Sequence, residues 1–95
     1  MKVFDSAHLR DGLAFVAAGA QALHVWRVAW AGTKPRCFVD GRLWGHLMDR
    51  DEARLVRTAR RLGVCKIKVD RLGKRGQHID LCGRPLERAI EEAEA

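Results

Sequence analysis

Residues 49–63 constrain the fold most, because they spell a helix from both ends. Asp49 stands three residues before Glu52, the spacing of a capping box with Asp in place of Ser or Thr. Leu55, Val56, Ala59 and Leu62 then return at helical intervals as a face to be buried, and Gly63 falls where a left-handed cap ends the helix. Opposite that face Arg50, Arg54, Arg57 and Arg61 share one narrow sector, a guanidinium stripe that belongs near water.

The flanking segments supply what this helix must pack against. Residues 1–4 suit a short strand, followed by a helix capped by Asp5 or Ser6 and carrying Leu9, Leu13, Val16 and Ala20 on one face until about Gly19. Residues 22–31 are rich in β-formers and place Trp26, Val28 and Trp30 on one side; a turn at 32–35 and a strand at 36–40 complete an expected hairpin. Cys65, Ile67 and Val69 alternate with Lys66 and Lys68, predicting a strand over 64–70, then a basic loop over 71–76. The strand expected over 77–82 puts Ile79 and Leu81 on one side and His78, Asp80 and Cys82 on the other. Pro85 suits the first turn of a last helix whose stripe is Leu86, Ala89, Ile90 and Ala93. Glutamates crowd the end of that helix against its dipole, which predicts a frayed last turn. The order predicts an α+β domain of two layers, a short mixed sheet of about five strands with about three helices mainly on one face.

At 95 residues, 47% hydrophobic and 32% charged, the chain has the apolar material for a single domain over 1–95 and lacks the signature of disorder. A domain this small buries only roughly 60–65% of its unfolded surface, so a homodimer is a reasonable expectation. Cys37, Cys65 and Cys82 are odd in number and form no CxxC pair, which predicts buried, reduced thiols in a cytoplasmic protein. Gln21, His24 and Arg27 interrupt the most apolar stretch, residues 13–32, so no membrane span is expected. Asp5 and Asp11 stand where a signal peptide needs positive charge, so no cleaved leader is expected either.

Lys and Arg number 18 against 12 Asp and Glu, a formal charge of +6, and 13 of the 18 are Arg. Such a surface attracts polyanions, and guanidinium groups meet phosphate in bidentate pairs. Residues 50–75 hold ten basic side chains against three acidic ones, so the charge is concentrated. The stripe of Arg50, Arg54, Arg57 and Arg61, with Lys66, Lys68, Arg71, Lys74 and Arg75, therefore makes a candidate phosphate-binding face, although the same residues suit a merely solvated surface.

His78 and Asp80 would stand about 7 Å apart at Cα on one strand face, whereas Cys82, about 13 Å along from His78, is too distant for a Cys–His nucleophile. The strand runs into a helix whose first amides near Gly83, with Arg84, offer an anion site. His46 follows Trp44 in a segment between strand and helix, shortly after Asp40. Asp40, His46, His78 and Asp80 carry nitrogen and oxygen donors suited to a divalent metal, but their spacing matches no established motif, and neither metal nor other cofactor is expected. His8 and His24 fit packing or surface positions. No phosphate-binding glycine loop, GxSxG elbow or kinase-like series occurs.

Four of these pieces, in this order, resemble a known family: Phe38, Val39 and Asp40; the run from Trp44 through His46 to Met48; Arg60 to Gly63 at a helix end; and His78 to Leu81. Together they look like the small bacterial and phage family of domains of unknown function numbered four thousand and thirty-one. That family has an aromatic-Val-Asp strand, a Trp-Ser-His-Leu or Cys-His-Met segment before a helix, and His-Tyr-Asp-Leu before a basic helix. The resemblance spans residues 36–95 and implies that 1–35 is an added strand–helix–strand elaboration. Ile79 replaces the aromatic residue, Cys82 the Ser or Thr, and Pro85 and Leu86 the basic pair, so an anion site there would depend on Arg84 or Arg88. The resemblance marks Asp40, His46, His78 and Asp80 and implies no particular activity.

The expected function is an intracellular binding module for a phosphate-bearing ligand, nucleic acid or nucleotide, with the basic residues giving attraction and His46, His78, Asp80 and Arg84 local recognition. A small hydrolase or phosphodiesterase using His46 or His78 with Asp40 or Asp80 is the alternative. A bacterial or phage interaction or inhibitor module docking on an acidic protein partner is another.

Overall fold

A computed structural model describes residues 1–27 and 43–95. Among them the chain is α+β: β1 (Lys2–Asp5), one 3₁₀ turn (Ser6–His8), α1 (Leu9–Ala17), β2 (Ala22–Arg27), β3 (Leu43–Met48), α2 (Glu52–Arg61), β4 (His78–Leu81) and α3 (Gly83–Glu94). Among the described residues the sheet has four strands, against the about five expected, in the order β1-β2-β3-β4. β1 and β2 run parallel, joined by the α1 crossover, while β3 is antiparallel to both β2 and β4.

Two strand expectations need correction. Residues 64–69 form no strand; only Asp70 makes a single bridge, to His78. Ile67 and Val69 of the alternating set pack against the core, joined by Val64 and not by the exposed Cys65, so the alternation marks partial apolar contact without a ladder of backbone partners. Conversely, residues 43–48, expected as a connecting segment, are an internal strand. Gly45 disguised it, and the reason for that glycine is steric: an added Cβ would lie 2.9 Å from the His24 carbonyl oxygen. The strand expected at 36–40 lies outside the described residues.

Period-two alternation divides the sheet into unlike faces. On one, Leu23, Val25, Leu47, Ile79 and Leu81 meet Leu55, Ala59 and Leu62 of α2 and its cap and Leu86 and Ala89 of α3. On the other, α1 lays Val16 against Ala22 and Met48, with Phe4, Leu13 and Phe15 around them. Two of the three helices, α2 and α3, thus share one face as expected, while α1 lies on the other, so the expected two layers gain a partial third. The partial cover leaves the remainder of the second face for polar groups.

Local chemistry fixes the ends. Asp5 caps the 3₁₀ turn by accepting from the Ala7 amide, and Gly19 and Gly63 close α1 and α2 at φ near 99°. Asp51, not Asp49, caps α2, its carboxylate accepting from the Arg54 amide at 3.1 Å. Asp49 is instead wholly buried. It receives a bidentate pair from Arg54 (2.6 and 2.7 Å), the Gln21 amide group (3.1 Å) and the Asp51 backbone amide (2.9 Å). A buried carboxylate so fully satisfied ties the start of α2 to the end of α1, where Arg54 and Arg50 also bond the Gly19 and Ala17 carbonyls. The glutamate-rich end of α3 stays helical through Glu94; Glu92 accepts both arms of Arg61 at 2.7 and 2.9 Å. Among the described residues no helix is long and apolar enough to cross a membrane.

Candidate functional site

The register of β2, β3 and β4 aligns His24, His46 and Asp80 across the sheet, and Met48 with His78 one step along. All point to the face that α1 leaves partly open. His46 Nε2 lies 3.1 Å from Asp80 Oδ1 and His78 Nε2 lies 3.3 Å from the same oxygen. The two imidazoles are 4.0 Å apart between centroids. Three residues singled out in the sequence therefore meet, and one carboxylate oxygen is their meeting point.

Neighbours hold each ring in place. His78 Nδ1 is 2.7 Å from the Gly76 carbonyl oxygen, which can only accept, so Nδ1 carries a proton and Nε2 faces Asp80. Asp70, bridged to His78 through the backbone, adds a carboxylate oxygen 3.7 Å from the same Nε2. His46 stands edge-on to Trp26 and Trp44, with ring centroids 4.5 and 4.9 Å away. His24, next in the row, is buried, with the Asp5 and Ser6 backbone beside its ring.

Electrostatics follow from these contacts. Burial works against charge on His78, but hydrogen bonds to Asp80 and Gly76 and the charges of Asp80 and Asp70 prevail, and its pKa is raised. Burial likewise opposes ionisation of Asp80, yet hydrogen bonds from His46 and His78 and their charges hold its carboxyl well below the usual range. Burial, aided by His46, lowers the pKa of His24. The cluster thus pairs an ionised carboxylate with a cation-favouring imidazole, a set able to bind an anion or hold a proton at Nε2.

A cavity of about 470 Å³ opens beside it. His46 and His78 line it together with the apolar Leu9, Leu13 and Met48 and with Arg10, Arg71, Arg75 and Gly76. The volume falls within the range of small-molecule sites. The 71–76 loop is built to present its arginines: Arg71 adopts φ 56°, a left-handed conformation unusual outside glycine, and its Nε donates to the Arg75 carbonyl at 2.7 Å. Buried Gln77 accepts from the Gly73 amide at 2.7 Å and donates to the Asp49 carbonyl at 2.9 Å, fastening the loop to the α2 network.

The other candidates scatter. Arg50, Arg54 and Arg61 of the stripe are engaged within the chain, and Arg57 remains exposed without an ion-pair partner among the described residues. Lys66, Lys68 and Lys74 are exposed, Lys68 standing 3.6 Å from Asp70. Arg84, exposed and 3.8 Å from Glu87, lines a separate hollow with Gly83 and one edge of Asp80. Asp40 lies outside the described residues. Cys65 is a free thiol but exposed, which corrects its expected burial, and Cys82 is half-buried and disulfide-bonded, which corrects the expectation of a buried, reduced cysteine there.

Sequence reasoning missed Arg10, Asp70, Leu9 and Leu13 as parts of the site. Arg10 sits on α1, and nothing in its local pattern distinguishes it from any solvated arginine. Asp70 carried a signal, two residues after Lys68 at the end of an alternating run, but only the bridge to His78 gives it meaning. His46, His78 and Asp80 also offer one ligand atom each within 4.8 Å of one another, the group here with donors suited to a metal ion. No family model, curated protein or solved structure matches the chain.

Proposed function

We propose that this protein binds a small phosphate-bearing ligand, a nucleotide in the first instance, in the cavity between α1 and the 71–76 loop. The observation that carries this reading is the convergence of Arg10, Arg71 and Arg75 with His46 and His78 around one cavity of about 470 Å³ that Leu9, Leu13 and Met48 also line. Guanidinium groups take the phosphate in bidentate fashion, the imidazoles supply further donors, and Leu9, Leu13 and Met48 accommodate an apolar or aromatic part. The α2 stripe has a smaller role here than the sequence suggested, because three of its four guanidiniums already have partners. The resemblance of residues 36–95 to the four thousand and thirty-first family of domains of unknown function belongs to the same reading and directs attention to His46, His78 and Asp80.

Calorimetric titration with ADP tests it. Binding should weaken at least severalfold on Arg75→Ala and be unchanged on Arg57→Ala, and a mixed-sequence oligonucleotide should compete poorly. Absence of ADP binding at low salt, or indifference to Arg75→Ala, would overturn the proposal; strong, salt-steep oligonucleotide binding lost on Arg57→Ala would return the function to the helix. A hydrolytic role is the second reading. It is favoured by His46 alone, whose Nε2 is oriented by Asp80 while its ring borders the cavity.

A further inference from the structure

We infer that His46, His78 and Asp80 form a binding site for a divalent first-row transition-metal ion, with Zn²⁺ the best match to the donors. The inference is independent of the phosphate reading. Two imidazole nitrogens lie 3.1 and 3.3 Å from the single oxygen Asp80 Oδ1. Donors that share an ion at about 2.0–2.2 Å stand about 3.0–3.5 Å apart at angles between square and tetrahedral, so both separations already have metal-site values. All three ligand atoms lie within 4.8 Å of one another. From as much as 4.8 Å apart, the ring nitrogens would close to about 3.0–3.5 Å, a rotation of two side chains on paired strands.

The orientation of His78 is the second, independent observation. Its Nδ1 proton is committed to the Gly76 carbonyl at 2.7 Å, the kind of outer hydrogen bond that fixes the tautomer of a metal-ligating histidine. A neutral ring held this way directs the Nε2 lone pair at Asp80 Oδ1, 3.3 Å away, with Asp70 Oδ2 at 3.7 Å. A lone pair facing two carboxylate oxygens is unfavourable unless a cation stands between them. A proton answers this for His78; a divalent ion answers it for all three ligands together.

The setting selects the ion. Two imidazoles and one carboxylate suit Zn²⁺, Co²⁺ or Ni²⁺ and disfavour Mg²⁺ and Ca²⁺, which prefer all-oxygen ligands. His46 and Asp80 are direct cross-strand partners, and Trp26 and Trp44 brace the His46 ring, so the donors need little ordering. Asp70 adds a further carboxylate oxygen 3.7 Å from His78 Nε2. Three protein ligands leave coordination positions open, and both histidines border the cavity, where an anionic ligand would complete the shell.

The test uses the whole chain, stripped of metal by a chelator and titrated with Co²⁺, followed by visible d–d absorption, and with Zn²⁺ by calorimetry. One saturable Co²⁺ per chain is expected, with Mg²⁺ and Ca²⁺ in large excess failing to displace it. Loss of a direct ligand in His78→Ala or Asp80→Asn should weaken binding by more than the about 10- to 100-fold typical of losing an outer-shell partner. Cys65→Ser should leave uptake unchanged, because the exposed thiol is not part of the site. Far-UV circular dichroism checks the fold, and the near-isosteric Asp80→Asn decides the matter if His78→Ala unfolds. No saturable uptake, uptake surviving Asp80→Asn, or uptake abolished by Cys65→Ser would each overturn the site.

Discussion

The two faces of the sheet come from alternate residues of the same strands, yet they meet opposite fates. Leu47 and Ile79 vanish beneath α2 and α3, while His46, Asp80 and His78, their immediate neighbours in sequence, face the side that α1 covers only in part. One face derives its energy from apolar area removed from water. The other holds polar groups whose positions are set by that same core. The contrast teaches that the core helices, packed on the opposite face of the same strands, help determine how accurately the cluster is placed.

The sharpest way to break the comparison is to mutate neighbours on opposite faces. Leu47→Ala should cost about 3–5 kcal/mol in urea unfolding, the upper part of the Leu→Ala range, because Leu47 is fully enclosed. His46→Ala should cost markedly less and act mainly on ligand binding; equal losses would mean that the polar face is a second core. The next effect concerns charge. Arg54→Met leaves the buried Asp49 carboxylate without its bidentate partner and should destabilise by about 3 kcal/mol by the same measurement.

Gly45→Ala joins both faces, since the new methyl would press on the His24 carbonyl at 2.9 Å and on Leu86 at 3.3 Å. A loss of about 1–3 kcal/mol is expected, with shifted histidine resonances in the NMR spectrum because β2 and β3 must separate. Smallest is Arg61→Ala. Its pairing with Glu92 is bidentate but solvent-exposed on both sides, so the loss should stay below about 1 kcal/mol and shrink further in high salt. A loss as large as that of Arg54→Met would remove the distinction drawn between the two arginines of α2.

Much of this was legible in the chain itself. α2 and α3 announced their buried faces, Leu55, Ala59 and Leu62 and then Leu86 and Ala89, because helical periodicity is local and core burial obeys it. The sequence pairs His78 and Asp80 on one strand face and groups His46 with them as a possible donor, without any sign that they converge. Their meeting was not legible, because it depends on β3 pairing with β4, and β3 was hidden by a glycine whose reason lies on another strand. The alternation of 64–70 promised a strand, but alternation reports apolar contact and not whether a backbone partner exists. The role of Asp49 was displaced for a similar reason: its partners Gln21 and Arg54 come from across the fold, so its capping spacing competed with a buried network and yielded.

Gln77 gives the arrangement a temporal consequence. One buried side chain grips the Gly73 amide with its oxygen and the Asp49 carbonyl with its nitrogen. Releasing the loop therefore exposes polar groups at the root of α2, so the loop inherits the lifetime of the core instead of the brief persistence usual for surface turns. In the nucleotide-binding reading proposed above, a loop fastened this way would keep the Arg71 side chain, itself tied to the Arg75 carbonyl, in position between encounters.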